Sequence, residues 1–78
     1  MRNVPGVYVG GATVTPHDSN ANQFSALYVG GTGDVTVIGR NGDSVLFKAV
    51  PVGAILPIAT SKVMSTGTTA TLITGLRQ

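Results

Sequence analysis

The chain has no cysteine, no tryptophan and no glutamate, a single histidine and only three acidic side chains among its 78 residues. Each absence closes a route. Without cysteine no disulfide can brace the fold, and the redox compartment is not legible. His17, Asp18, Asp34 and Asp43 are the whole stock of hard or imidazole ligands, too few and too scattered for a structural zinc, which wants four donors. Serine and threonine are plentiful, but no second histidine or plausible lysine base accompanies them, and no carboxylate pair stands at glycosidase spacing. The reading is a non-enzymatic protein that uses no cofactor. No apolar run approaches the ~20 residues that cross a bilayer. The opening Met1-Arg2-Asn3-Val4-Pro5-Gly6 lacks the apolar core of a signal peptide, so no membrane partner is expected.

Charge is scarce as well. Charged residues make up 10% of the chain, against about 25% in typical soluble domains. The net charge of +2 rests on Arg2, Arg40, Lys48, Lys62 and Arg77, which are dispersed. The four aromatics, Tyr8, Phe24, Tyr28 and Phe47, do not interleave with them, so neither the basic stripe nor the stacking platform of a nucleic-acid site is present. A domain of this size buries only roughly 60% of the surface its unfolded chain exposes. Such folds need a staple, and with disulfide and metal removed, association with other chains is what remains. A surface covered by neighbours also needs little charge.

What the sequence does have is valine, threonine and 11 glycines. β-branched residues pack well on a pleated surface and lose rotamer freedom in helices, and no window sustains a 3.6-residue apolar stripe. The chain is expected to be all-β: a small antiparallel sandwich or open barrel of about five to seven strands. Ala26-Leu27-Tyr28-Val29 reads as a strand closed by a tight turn at Gly30-Gly31-Thr32-Gly33. That glycine run is no phosphate loop, because a strand follows it where the nucleotide motifs need a helix N-terminus. Asp34-Val35-Thr36-Val37-Ile38 alternates and puts Val35 and Val37 on a buried face. Asn41-Gly42 is the strongest hairpin signal, since both residues tolerate the positive φ that the turn needs. Val45 and Phe47 should then point inward and Lys48 outward. The three strands between Tyr28 and Phe47 read as a meander. Further strands are expected at residues 58–64 and 69–73, separated by the turn Ser65-Thr66-Gly67-Thr68.

Residues 1–25 look different, polar and rich in turns, with a short strand candidate at Val7-Tyr8-Val9. They read as an N-terminal arm that orders on assembly, in front of a single β domain at 26–78. His17-Asp18 falls in this arm and reads as solvated. The word Tyr8-Val9-Gly10-Gly11 recurs as Tyr28-Val29-Gly30-Gly31, through duplication of a strand-turn element or by coincidence in a glycine- and valine-rich chain.

From Phe24 onward one order of motifs stands out. Ala26-Leu27-Tyr28-Val29-Gly30 leads into Gly33-Asp34-Val35-Thr36-Val37, then Val45-Leu46-Phe47 and Val50-Pro51-Val52-Gly53-Ala54-Ile55-Leu56-Pro57-Ile58. Val63-Met64-Ser65-Thr66-Gly67-Thr68-Thr69-Ala70-Thr71 closes it. This order resembles a family of small virion proteins, the spike base proteins of tailed phages and gene transfer agents. The segment between Tyr8 and Thr15 departs from the pattern. The resemblance implies a head structural protein on the capsid surface, a spike base or a decoration (cement) subunit. Its partners would be copies of itself, the major capsid protein and a spike fibre.

The contact candidates follow from the apolar pattern. Ile55, Leu56 and Pro57 belong to the most apolar stretch, read either as core or as an edge strand that proline keeps open to another subunit. Tyr8 and Val9 could dock on their own domain, but an arm so short of core favours strand addition onto a neighbour. Two alternatives stay open: a carbohydrate- or peptide-binding module using Tyr8 or Tyr28 as a platform, and a minor tail or baseplate component.

Overall fold

The computed structural model describes residues 8–77, which form seven strands: β1 (Gly10–Thr13), β2 (Ala26–Gly31), β3 (Gly33–Gly39), β4 (Ser44–Val50), β5 (Ala54–Leu56), β6 (Thr60–Val63) and β7 (Thr71–Arg77). They make two antiparallel sheets, a four-stranded sheet in the order β1-β7-β2-β5 and a three-stranded sheet in the order β4-β3-β6. The expected all-β sandwich is therefore what forms. Period-2 alternation does the sorting. Leu27 and Val29 from β2, Val35 and Val37 from β3, Val63 from β6 and Ile73 from β7 meet in one core, joined by Val14, Phe24, Val50, Leu56 and Ala70. Val45 and Phe47 also face this core but stay half-buried, while Lys48 points to solvent.

Three elements differ from the sequence reading. β2 and β3 are not hairpin partners, so there is no meander: β2 pairs with β5 and β7, and the chain changes sheets at Gly31-Thr32-Gly33. The glycine run is a corner, not a turn. A Cβ at Gly33 would lie 2.5 Å from the backbone nitrogen of Ala70, so the corner is pressed against the chain entering β7. The β3–β4 hairpin does close at Asn41-Gly42, but as a three-residue loop. Gly39 and Asp43 face each other, the Gly39 carbonyl accepts from the Gly42 amide (2.9 Å), and the Gly39 amide donates to Asp43 O (2.8 Å). Only Gly42 has positive φ, at 96°. Asn41 stays on the negative side because its side chain works as a clasp: Oδ1 accepts from the Asp43 amide and Nδ2 donates to Asp43 Oδ2. Gly42→Ala is therefore expected to cost about 1–2 kcal/mol, the penalty of a Cβ in left-handed backbone. A shift in urea midpoint at constant slope checks this.

The third difference is the segment read as an arm, which from Tyr8 on is built into the sandwich. β1 lies along β7 in register from Gly10↔Arg77 to Thr13↔Thr74, three residues later than the strand candidate, of which Val7 lies outside the described residues. Val14 then enters the core and donates to Ile73 O. The next ten residues cross to the other sheet and run beside β6, with His17 N donating to Val63 O and Asn22 N to Ser61 O, both 2.9 Å. Thr60, fully buried, ties the crossing down: its Oγ1 donates to Asn22 O (2.6 Å) and accepts from Phe24 N (3.3 Å). Phe24 lies across Gly75, under the Arg77 guanidinium, which sits 4.8 Å from the ring centroid. Composition misled because a segment can be polar along most of its length and still be held by two apolar anchors and backbone hydrogen bonds.

Candidate assembly surfaces

The histidine and the three aspartates hold loops. The His17 imidazole Nδ1 accepts from the amides of Ser19 (3.0 Å) and Asn20 (3.1 Å). Asp34 Oδ1 accepts from the Ala49 amide at 2.8 Å, which fixes an alanine at φ 52° where the β3–β4 register shifts. Asp43 belongs to the hairpin clasp. Asp18, expected to be solvated, grips the 65–68 turn: Oδ1 accepts from the amides of Ser65 and Thr66 (both 2.9 Å), and Oδ2 from the Thr66 hydroxyl (2.6 Å). Among the described residues no three His, Cys, Asp or Glu side chains come together to hold a metal.

The Thr66 hydroxyl and amide, followed by those of Ser65, hold the Asp18 carboxyl below its ordinary value of 3.8, against an opposing effect of desolvation. Folding thus favours the carboxylate, so its contribution is complete above the unfolded value and is lost as pH falls through the lower folded one. Asp18→Asn should lower Tm at neutral pH, and the gap from the unsubstituted protein should close in acid. Thermal melts across pH 2 to 7 would read this directly; a gap that does not change with pH would show that the carboxylate's charge is irrelevant.

The surface is where apolar groups are left over. Val9, Tyr28, Leu46, Val52, Ile55 and Leu72 are all exposed. Of the contact candidates, Ile55 is 52% exposed and stands opposite Tyr28 on the outer face of the four-stranded sheet. Pro57 is exposed just beyond β5. Leu56, on the other face of the same strand, is core. Tyr8 is half-buried and Val9 is 65% exposed, with the Val9 amide donating to Arg77 O in its own domain. The candidates therefore do not form one patch. Sheet order puts Tyr8 and Val9 beside β1 at one edge, and Ile55 and Pro57 at β5 on the other. Leu72 was not foreseeable. Its φ of 54° breaks the alternation, so Thr71 and Leu72 are both exposed where a regular strand would alternate.

No family model and no curated protein matches the chain. Among solved structures, a chain from the capsid of a native gene transfer agent particle, computed with C5 symmetry, superposes with a TM-score of 0.86 at 29% identity. The alignment covers 99% of this chain and 92% of that one. The fold is that of a capsid-particle protein. The agreement extends over the N-terminal strand and crossing as well as the motifs from Phe24 onward, so the whole sandwich is shared.

Proposed function

We propose that the protein is a structural subunit of a phage-like head, bound to the outside of the capsid as the base of a spike or as a decoration subunit, and acting through association with copies of itself. The observation that carries this reading is the end-to-end superposition on a chain of a gene transfer agent capsid. The surface fits: charge is sparse, six large apolar side chains are exposed among the described residues, and His17, Asp18 and Asp34 are engaged in holding loops. The mechanism is burial of apolar β surface between protomers and against the shell. A stable contact needs about 800 Å² per partner, under a fifth of the 4549 Å² this surface offers, so one chain has room for several neighbours.

Incubating the purified protein with particles that lack it should bring it down with them on sedimentation, and a particle map should gain density at defined symmetry positions. Density at fivefold vertices assigns a spike base, and density at threefold positions a decoration subunit. Protein left entirely in the supernatant, with no added density, would defeat the reading.

A further inference from the structure

Of the four asparagines, Asn3, Asn20, Asn22 and Asn41, only Asn41 is followed by glycine. The pair makes a good hairpin turn, and it also sets an electrophile beside an unhindered nucleophile. The side-chain carbonyl carbon of an asparagine can close a five-membered ring with the next backbone nitrogen, and a glycine there has no Cβ to obstruct the approach. Asparagine is thermolabile for this kind of reason. Asn41 and Gly42 are both exposed at the tip of the β3–β4 hairpin. A Cβ at Gly42 would meet nothing within 4 Å, so the tip has room for the ring and for the water that opens it.

The closed hairpin keeps the two partners from reacting. The Gly42 amide, which would attack, donates to Gly39 O at 2.9 Å. The Asn41 side chain reaches past it to the following residue: Oδ1 accepts from the Asp43 amide at 3.2 Å, and Nδ2 donates to Asp43 Oδ2 at 3.0 Å. For the ring to close, the side chain must turn back from Asp43 and the Gly42 nitrogen must turn away from Gly39. We infer that Asn41 is a site of spontaneous deamidation, held shut by its clasp to Asp43 and released when the hairpin opens. Such local opening is ordinary at exposed loop tips.

In the open hairpin the Gly42 nitrogen gives its proton to solvent and attacks Asn41 Cγ. The N–Cγ bond forms, the Cγ–Nδ2 bond breaks, and Nδ2 takes up a proton and leaves as ammonia. Water then adds to the cyclic imide. Opening at the side-chain carbonyl gives aspartate; opening at the main-chain carbonyl gives isoaspartate, with the chain running on through the side chain. Nothing is oxidised or reduced. Either product lowers the net charge of +2 by one and faces the Asp43 carboxylate with a carboxylate in place of a donor. Like charges repel at that distance, so the clasp does not re-form. The modification is one-way, and it is independent of what the protein binds.

Peptide mass spectrometry during incubation in warm, mildly alkaline buffer tests this, with an unincubated sample digested alongside. Asn41 should be converted to a mixture of aspartate and isoaspartate while Asn20 and Asn22 stay unchanged. In urea the conversion should run about tenfold faster or more, because three hydrogen bonds no longer hold the reactants. Asp43→Ala should keep the parental circular dichroism and speed the reaction of the folded protein about fivefold, the effect of losing one such bond. Asp43→Asn still offers an acceptor oxygen and should stay near the parental rate. No conversion of Asn41 in urea, or equal rates in urea and buffer, would overturn the inference, and that comparison stands without the variants. Aspartate formed with no isoaspartate would overturn it too, since that means direct hydrolysis of the side chain. So would an Asp43→Ala protein that folds and reacts no faster than Asp43→Asn.

Discussion

Replacing Phe24 with alanine is expected to remove about 3–5 kcal/mol of stability, the usual cost of deleting a buried aromatic. For a chain of this size that is a large share of the total, since folded domains hold roughly 0.05–0.15 kcal/mol per residue. The ring is 4% exposed and lies over Gly75, where a Cβ would come within 2.3 Å of its carbons. Its backbone bridges to Thr60 in the other sheet. Losing the ring therefore opens a cavity between the sheets and strips Arg77 of the face it covers. Urea unfolding followed by circular dichroism would measure the loss, and Phe47→Ala, at a half-buried position, should cost less. A Phe24→Ala protein as stable as its parent would mean that the crossing at residues 15–24 is not part of the folded unit.

The second large effect is expected at the corner between the sheets. A Cβ at Gly33 would sit 2.5 Å from Ala70 N, 2.7 Å from Ala70 Cα and 2.8 Å from Thr69 C. All three are backbone atoms, so no rotamer change can clear them. Gly33→Ala must push the corner away from the chain leading into β7. That strains the bonds by which Asp34 O accepts from the amides of Thr69 (2.8 Å) and Ala70 (3.1 Å), and by which Asp34 N donates to Thr69 Oγ1 (2.9 Å). Overpacking alone costs about 1–3 kcal/mol, and each weakened hydrogen bond adds about 1, so a loss of about 3 kcal/mol or more is expected. Faster hydrogen exchange at Asp34, Thr69 and Ala70 should accompany it. Gly10→Ala, whose new Cβ meets open space, should be neutral for folding. Equal stabilities for the two alanine variants would sink the account of the corner.

The repeated word Tyr-Val-Gly-Gly shows where reading residues alone stops. At residues 28–31 it lies in β2, with Val29 fully buried. At residues 8–11 the same letters leave Val9 65% exposed and only the two glycines in β1. Both copies flank β7, one on each side. Local preference is identical in the two places; the layer lying opposite each one differs, and that layer decides burial. The same holds for Asp18. Its four donors are 47 and 48 positions away along the chain, so nothing near it in the sequence marks it as a clasp.

By itself the sequence determined the strands from Ala26 onward in outline, the inward faces of β2 to β4 and the sites where the chain must bend. Those depend on side-chain period, β-branching and glycine, which act within a few residues. It also determined the shortage of charge and the absence of disulfides. Only the tertiary structure decided that β2 and β3 belong to different sheets, that residues 8–25 are part of the sandwich, and which apolar residues stay exposed. These are pairings between distant segments, settled by which edges and faces can be covered at the same time.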